Sequence, residues 1–188
     1  TYELCIDIAA LVYGMEICIN DSLRKVLKNF ALFKPTGLVL VPLFVETLYR
    51  RIWATAEKNG IDKKLKTGMK LSNVLRKIGI DKRRSIFAQV HETFGGKLQM
   101  IICGGAALNQ DIIDFFDAIG ITVLNGYGIT ECAPLISCNR NEYRKQGSVG
   151  MPIIGGHVKI DKPNDAGEGE ICYKGPNVML GYFENEEA

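Results

Sequence analysis

Residues 125–131 read Asn-Gly-Tyr-Gly-Ile-Thr-Glu and directly follow the apolar run Ile121-Thr122-Val123-Leu124. The apolar run predicts a buried strand, so the seven residues would lie at the end of that strand. Gly126 and Gly128 carry no Cβ atom and would let a ligand come close to the backbone. This pattern indicates a ligand site at a strand end, although an ordinary glycine-rich turn has the same pattern.

The side chains of this stretch are those that a nucleotide site needs. Tyr127 has a flat face on which a base can pack, and Thr130 has a hydroxyl that can bond to a phosphate oxygen. Glu131 has a carboxylate, which is the hard oxygen ligand that Mg²⁺ prefers. If the stretch is a ligand site, its side chains predict that it binds a nucleotide together with a magnesium ion.

Strands and helices alternate upstream of this stretch. Residues 36–41 and 98–103 predict buried strands, and residues 16–19 predict a short one. Strands separated by helices pair in parallel with right-handed crossovers, and ligands bind beyond the carboxyl ends of such strands. Because Gly104-Gly105 also follows a predicted strand, we expect two loops to meet at one edge of a parallel sheet.

Several residues mark the ends of predicted helices. Asp21 or Ser22 can cap one helix, and Pro42 suits the first turn of the next. Asn109 can cap a third helix, which Gly120 would end. The third helix would turn four apolar residues inward: Ile112, Phe115, Phe116 and Ile119.

The composition of the chain changes at Gly147. Short β-prone pieces alternate there with Gly, Pro, Asn and Asp residues, at 157–160, 170–173 and 178–182. They predict an antiparallel β portion. The sequence therefore predicts a parallel α/β subdomain, residues 1–146, followed by part of a β-rich subdomain, residues 147–188.

The overall composition limits the class of protein. The chain has 188 residues, 47% of them hydrophobic, and a net charge of +2. These values suit a globular domain with a sizeable core and predict no nucleic-acid partner. No apolar run reaches the roughly 18 residues of a membrane-spanning helix. The six cysteines lack metal-ligand spacing, so we expect a reduced, cytoplasmic protein.

Residues 62–84 are strongly basic. Nine Lys and Arg residues oppose two acidic ones, which is a net charge of +7. One helical face of this segment is apolar and consists of Leu71, Val74, Leu75 and Ile78. A basic amphipathic helix can lie on an anionic membrane surface, so one expectation is a peripheral contact with the inner membrane face. The alternative is a solvated helix that packs on the edge of the domain.

Four motifs in the second half of the chain resemble, in order and spacing, those of the adenylate-forming enzymes. They are Cys103-Gly104-Gly105-Ala106-Ala107-Leu108, Tyr127-Gly128-Ile129-Thr130-Glu131, Gly147-Ser148-Val149-Gly150-Met151-Pro152, and the glycine-rich stretch from Gly167 to Tyr182. This superfamily comprises acyl-CoA synthetases, luciferases and the adenylation domains of peptide synthetases. The run Gly175-Pro176-Asn177-Val178-Met179 looks most like the bacterial long-chain fatty-acid–CoA ligases.

The resemblance implies a fold and a reaction. The fold would be α/β, a parallel sheet flanked by helices, and would form the central subdomain of the family's N-terminal domain. The reaction would be that of an ATP-dependent acid–thiol ligase, which converts a long-chain fatty acid to acyl-AMP and transfers it to coenzyme A. The family's phosphate loop and catalytic lysine have no counterpart in the chain. We therefore expect an internal piece of a longer enzyme that is inactive by itself.

The resemblance also assigns roles to residues. Thr130 and Glu131 would be catalytic, with Thr130 bonded to the α-phosphate and Glu131 holding Mg²⁺. Tyr127 would pack on the adenine. The other nucleotide-binding residues would be Gly104, Gly105, Ala106, Asn125, Gly126 and Gly128.

The implied ligands are ATP or AMP, Mg²⁺, a fatty acid, and coenzyme A as co-substrate. Two alternatives remain open. One is an adenylation domain for an amino or aryl acid, and the other is a non-catalytic α/β module that binds a nucleotide.

Overall fold

The computed structural model describes residues 2–141 and 143–185. Residues 1, 142 and 186–188, which the predicted subdomains include, lie outside the described residues. The helices are α1 (Tyr2–Val12), α2 (Val26–Phe33), α3 (Pro42–Lys58), α4 (Asp62–Lys77), α5 (Arg83–Ile86), α6 (Ala88–Thr93) and α7 (Gln110–Ile119). The strands are β1 (Gly37–Leu40), β2 (Met100–Cys103), β3 (Thr122–Gly128), β4 (Leu135–Cys138), β5 (Met151–Pro152), β6 (His157–Asp161) and β7 (Glu170–Lys174).

The described residues group into two compact units. One unit is residues 17–124, and the other combines residues from 1–16 with residues from 125–188. The strand order of the main sheet is β1-β2-β3-β4-β5, and β3 passes along the chain from the first unit into the second. The α/β fold class is confirmed. The predicted subdomain boundary near residue 147 stays a prediction.

Parallel pairing in the unit 17–124 agrees with the sequence. β1 and β2 pair in parallel, from Gly37 opposite Met100 to Leu40 opposite Cys103. The beginning of β3 lies beside β2, because the backbone N–H of Thr122 donates to the carbonyl of Gln99 at 2.9 Å. The carboxyl ends of β1 and β2 therefore lie at the same edge of the sheet.

Local signals at the helix ends explain where two long helices begin and end. Pro42 occupies the first turn of α3, where its missing N–H costs no helical hydrogen bond. Asn109 caps α7, with its side-chain oxygen accepting from the N–H of Asp111 at 2.8 Å. Gly120 ends α7 in the left-handed conformation, with φ of 91°. These predicted helix ends are confirmed.

The core of this unit is built mainly from the inner face of α7 and the residues around β2. The predicted inward residues of α7 are all buried: Ile112, Phe115, Phe116 and Ile119. The ring of Phe115 packs edge-on against Tyr49 of α3, with centroids 4.9 Å apart. This packing holds α3 and α7 in place beside the parallel strands.

The other unit carries the antiparallel strands. The end of β3 pairs with β4, β4 pairs with β5, and β6 pairs with β7, all antiparallel. The predicted β pieces at 157–160 and 170–173 correspond to β6 and β7. The unit also contains β4, which the sequence did not predict.

Two predicted strands are wrong. Residues 16–19 form no strand, and residues 178–182 contribute only an isolated bridge between Tyr182 and Asn185. Both segments have β-prone residues. A strand forms only where a neighbouring backbone satisfies its N–H and C=O groups, and sequence propensity does not supply that neighbour.

Candidate functional site

Most of the predicted nucleotide stretch is part of a strand. β3 runs through Gly128, so Asn125 to Gly128 lie within the strand and not in a turn after it. The reason is β4, which supplies backbone partners: Gly126 faces Cys138 and Tyr127 faces Ser137, with a register shift before Gly128. The turn begins only at Ile129 and continues as a short 3₁₀ helix, Thr130–Cys132.

Gly128 is required by the fold itself. A Cβ atom at this position would overlap the backbone carbonyl of Pro134, closer than real Cβ contacts occur. At Gly126 a Cβ would lie 3.3 Å from the side chain of Leu135, which is tight but less severe. The missing Cβ at Gly128 therefore lets the β3 and β4 backbones approach each other, whatever binds nearby.

Glu131 is held by residues far along the chain. Its Oε1 atom accepts a hydrogen bond from the Tyr182 hydroxyl at 2.6 Å, and its backbone carbonyl accepts from the N–H of Met179 at 2.8 Å. The Tyr182 bond, together with the N–H of Glu131 itself, lowers the pKa of the Glu131 carboxyl. The same bond raises the pKa of Tyr182. The Tyr182 bond thus favours the ionised form of the Glu131 carboxyl.

Asn177 fixes the loop that contains these contacts. Its side-chain N–H groups donate to the carbonyls of Cys132 and Leu135, the latter at 2.8 Å. Its side-chain oxygen accepts from the Tyr173 hydroxyl at 2.6 Å. One amide therefore ties β7 to both ends of the turn that carries Glu131.

Sequence reasoning assigned no role to Asn177 or Tyr182. The signal was present, because both belong to the Gly175–Tyr182 part of the fourth motif. Nothing in that motif indicates which residues it contacts 42 to 51 positions earlier in the chain. Only the three-dimensional arrangement connects the two motifs.

The remaining residues of the stretch differ in exposure. Asn125, Gly126 and Tyr127 are half-buried, whereas Gly128 and Thr130 are exposed. The carbonyl of Asn125 accepts from the N–H of Asn139 at 2.8 Å, which extends the β3–β4 contact. The exposed hydroxyl of Thr130 and the half-buried ring of Tyr127 therefore lie at the end of one strand, close in sequence to Glu131.

The Gly104-Gly105-Ala106 loop lies in the unit 17–124. It follows β2 directly, and the N–H of Gly104 donates to the carbonyl of Leu40, at the end of β1, at 3.4 Å. Gly105 has φ of +92°, and the space where its Cβ would be is open. Gly105 and Ala106 are exposed at the carboxyl ends of the parallel strands. Asn125 to Glu131 belong to the other unit, so the meeting of the two loops in one cleft stays a prediction.

Glu131 is the candidate ligand for a magnesium ion in this stretch. No group of three or more His, Cys, Asp or Glu side chains that could hold a metal occurs within 2–141 and 143–185. Mg²⁺ commonly takes only one or two carboxylates, with phosphate oxygens and waters as its other ligands. Glu131 can provide one such carboxylate oxygen.

The pKa is raised at both cysteines beside the predicted loops, Cys103 and Cys132. All six cysteines of the chain are free. Burial raises the pKa of the Cys103 thiol to about 11. The pKa of Cys132 is raised by burial first and then by the charge of the adjacent Glu131. Both thiols are therefore protonated at neutral pH, and a thiolate is the reactive form.

Comparison with known proteins identifies the family. The model of the AMP-binding enzyme family matches residues 1–183, and the chain belongs to that family. The resemblance seen in the four motifs is thereby confirmed.

Individual relatives are similar at low identity. The chain is 29% identical over 180 residues to long-chain-fatty-acid–CoA ligase 6 of Rattus norvegicus, covering 89% of this chain and 26% of that protein. It is 27% identical over 198 residues to a long-chain-fatty-acid–CoA ligase of Mycobacterium bovis, covering 97% of this chain and 32% of that protein. The chain thus spans about a quarter to a third of the length of these relatives.

A solved structure supports the fold. The o-succinylbenzoate CoA synthetase of Bacillus subtilis, in complex with the acyl-adenylate intermediate OSB-AMP, aligns with a TM-score of 0.64 at 22% identity. The alignment covers 98% of this chain and 32% of the synthetase chain. In the part of the chain that the structure describes, we find no helix with the length and hydrophobicity needed to cross a bilayer.

Proposed function

We propose that the chain forms part of the adenylate site of an ATP-dependent acyl-CoA ligase that activates a long-chain fatty acid. Membership of the AMP-binding enzyme family supports the reaction class, and the names of the relatives support the substrate. The observation that carries the proposal is the Thr130-Glu131 turn, which directly follows β3 and is held by Tyr182 and Asn177.

The reaction would form two bonds in sequence. A carboxylate oxygen of the acid attacks the α-phosphorus of ATP and pyrophosphate leaves, which gives acyl-AMP. The sulfur of coenzyme A then attacks the acyl carbon, and AMP leaves. The attacking oxygen and the phosphate are both anionic in the first step, so the site must reduce their repulsion and align them.

Different residues of the chain would bind the phosphate, the base and the metal ion. The Thr130 hydroxyl would donate to an α-phosphate oxygen, and the Tyr127 ring would pack on adenine. Glu131 would hold Mg²⁺, which when bound offsets phosphate charge. The backbone or side-chain amide groups of Asn125, Gly126 and Gly128 would bind the nucleotide, and Gly104, Gly105 and Ala106 would line its adenine and acyl side.

Tyr182 would act through Glu131. Its hydroxyl donates to Oε1, which fixes the orientation of the carboxyl and lowers its pKa. The carboxylate of Glu131, so oriented, would hold the cation. Support of this kind from a neighbouring side chain is common at metal sites.

An aryl acid is a second candidate substrate. The o-succinylbenzoate CoA synthetase that shares the fold is named for an aryl acid, although its identity to this chain is only 22%. An adenylation domain for an amino acid and a nucleotide-binding module without chemistry are further alternatives.

The cellular location is also a proposal. We propose a cytoplasmic protein that contacts the inner membrane face through residues 62–84. The six free cysteines support a reducing compartment, and the exposed lysines of α4 support the contact.

Acid-dependent exchange of pyrophosphate into ATP tests the proposed reaction in the longer protein that carries this chain. Palmitate, benzoate and phenylalanine would be compared, with and without coenzyme A. We expect exchange with palmitate, and AMP release that requires coenzyme A. Exchange with benzoate or phenylalanine alone would favour the second candidates. Binding of AMP without exchange for any acid would contradict a ligase.

A further inference from the structure

Eight of the nine basic residues in 62–84 form two groups in the structure, and the three arginines are the group that has partners within the unit. Arg76 pairs with Asp117 at 2.6 Å. Arg83 binds Asp81 at 2.7 Å, and Arg84 donates to the carbonyls of Leu98 and Gly96 at 3.1 and 2.7 Å. These three guanidinium groups hold neighbouring segments of the unit together.

The lysines of α4 form the outer group. Five lysines of this helix are exposed: Lys63, Lys64, Lys66, Lys70 and Lys77. Lys63, Lys70 and Lys77 follow one another at seven-residue spacing, which places them in one row along the helix. The row extends about 21 Å at 1.5 Å per residue. The only acidic residue of α4 is Asp62, in its first turn.

An apolar strip lies beside this row of lysines. Leu71, Val74 and Ile78 are 51%, 58% and 67% exposed, and their spacing puts them on one face of the helix. The opposite face of α4 packs inward, where Leu65 and Ser72 are buried and the Ser72 hydroxyl donates to the carbonyl of Ala118 at 2.9 Å. The helix thus packs through a different face from the apolar one that the sequence showed.

The lysine row and the apolar strip together indicate which kind of partner surface can bind to this face of α4. Three exposed aliphatic side chains favour an apolar environment, and the adjacent lysines favour anionic groups at the same level. A bilayer with anionic headgroups offers both along a flat strip, with the aliphatic side chains at the headgroup–acyl boundary and the ammonium groups among the phosphates. Charge complementarity therefore favours an anionic lipid surface.

We propose that the outer face of α4, with the lysine row and the Leu71-Val74-Ile78 strip, is a docking surface for an anionic lipid bilayer. Binding to a bilayer does not depend on any step of the proposed reaction. A negative result for vesicle binding therefore does not contradict the ligase proposal, and a negative result for adenylate formation does not contradict the docking surface.

Sedimentation with vesicles tests the docking surface directly. The protein would be mixed with phosphatidylcholine vesicles that contain phosphatidylserine, and separately with pure phosphatidylcholine vesicles, at low and at high salt. We expect binding to the anionic vesicles at low salt, and weakening as salt screens the lysines. Absence of binding to anionic vesicles at low salt, or equal binding to both vesicle types, would overturn the proposal.

Two variants separate the charged from the apolar contribution. Replacing Lys63, Lys70 and Lys77 with Gln should lower the affinity on the order of 100-fold, at roughly fivefold for each lysine. Replacing Leu71, Val74 and Ile78 with Gln should lower it roughly tenfold or more and leave the salt dependence in place. Circular dichroism would check that each variant remains folded, which the exposure of these positions favours.

A control variant removes the same charge elsewhere in the unit. Arg24, Lys28 and Lys97 are exposed and lie outside α4. Replacing these three with Gln should change the affinity less than about threefold, because only distant screened charges are lost. If this control loses as much affinity as the lysine-row variant, the binding reflects overall charge and the α4 surface is refuted.

Discussion

The hydroxyl of Tyr182 donates a hydrogen bond of 2.6 Å to Oε1 of Glu131, although the two residues are 51 positions apart in the chain. This bond joins the second motif of the family resemblance to the last one. It fixes the carboxylate that we propose as a magnesium ligand and lowers its pKa. A second connection, from Asn177 to the carbonyls of Cys132 and Leu135, holds the same turn.

Replacing Tyr182 with Phe should weaken the use of Mg²⁺ by the proposed ligase. Loss of the hydroxyl raises the pKa of Glu131 towards its ordinary value, so the carboxylate is protonated at a higher pH as the solution is acidified. We expect roughly tenfold weaker apparent Mg²⁺ affinity and an acidic limb of the pH–rate profile that moves to higher pH. Pyrophosphate exchange as a function of Mg²⁺ and pH measures both.

The sign of this shift follows from linkage. The folded-state pKa of Glu131 is depressed, so the stabilisation from the Tyr182 bond is present above the ordinary pKa and is lost as pH falls through the folded-state pKa. Tyr143→Phe, at another exposed tyrosine, is the control. If the acidic limb of the pH–rate profile does not move in Tyr182→Phe, the Tyr182 bond does not control the pKa of Glu131.

Replacing Glu131 with Gln should impair adenylation through the metal. The substitution keeps the shape of the side chain and removes the charged oxygen ligand. We expect acid-dependent exchange to fall on the order of 100-fold and to recover in part at high Mg²⁺. Unchanged Mg²⁺ dependence in this variant would remove Glu131 from the proposed role.

Replacing Asn177 with Asp should destabilise the unit that contains β4 and the end of β3. The new carboxylate can still accept from Tyr173 but cannot donate to the carbonyls of Cys132 and Leu135. We expect a loss of about 1–3 kcal/mol in the free energy of unfolding, measured by urea titration.

Tyr173→Phe is the matched comparison for this network. It removes only the 2.6 Å bond to the Asn177 side-chain oxygen and should cost about 1 kcal/mol. A normal free energy of unfolding in Asn177→Asp, beside a loss in Tyr173→Phe, would mean that the donor bonds of Asn177 contribute nothing to stability.

Replacing Gly128 with Ala should disrupt the pairing of β3 with β4. The added methyl group would overlap the backbone carbonyl of Pro134, which cannot move away as a flexible side chain could. We expect a loss of about 3 kcal/mol or more in the free energy of unfolding.

Gly167→Ala is the control with which the loss of stability in Gly128→Ala is compared. Gly167 has φ of +81° with open space around its Cβ position, so the substitution adds only backbone strain of about 1–2 kcal/mol. Melting temperatures of the two variants give the comparison. A smaller loss at Gly128 than at Gly167 would contradict the close approach of the two backbones.

Helices were predictable because their signals are local. Pro42 at the start of α3, and Asn109 and Gly120 at the two ends of α7, act within one turn of the positions that they occupy. The strands were less predictable. β4 was missed and residues 178–182 were wrongly predicted, because a strand depends on a partner that is distant in sequence.

Residues 62–84 also combine features that the sequence predicts with features that only the structure shows. Its charge and apolar spacing are properties of the sequence, and they suggested both a membrane contact and a helix packed on the domain edge. The structure shows that α4 packs through Leu65 and Ser72 and leaves Leu71, Val74 and Ile78 exposed. Which face turns inward depends on the shape of the neighbouring helices, and no pattern within the helix contains that information.

The amino-acid sequence alone determined the family, through the resemblance of its four motifs. It also determined the α/β class and the position of the predicted nucleotide stretch, because glycines, caps and apolar periodicity act over a few residues. Tertiary structure alone decided that Asn125 to Gly128 continue β3, that Tyr182 and Asn177 hold the Glu131 turn, and that the lysine row of α4 faces outward. These features depend on hydrogen bonds and packing between segments that are far apart along the chain, and such contacts form only when the backbone has folded.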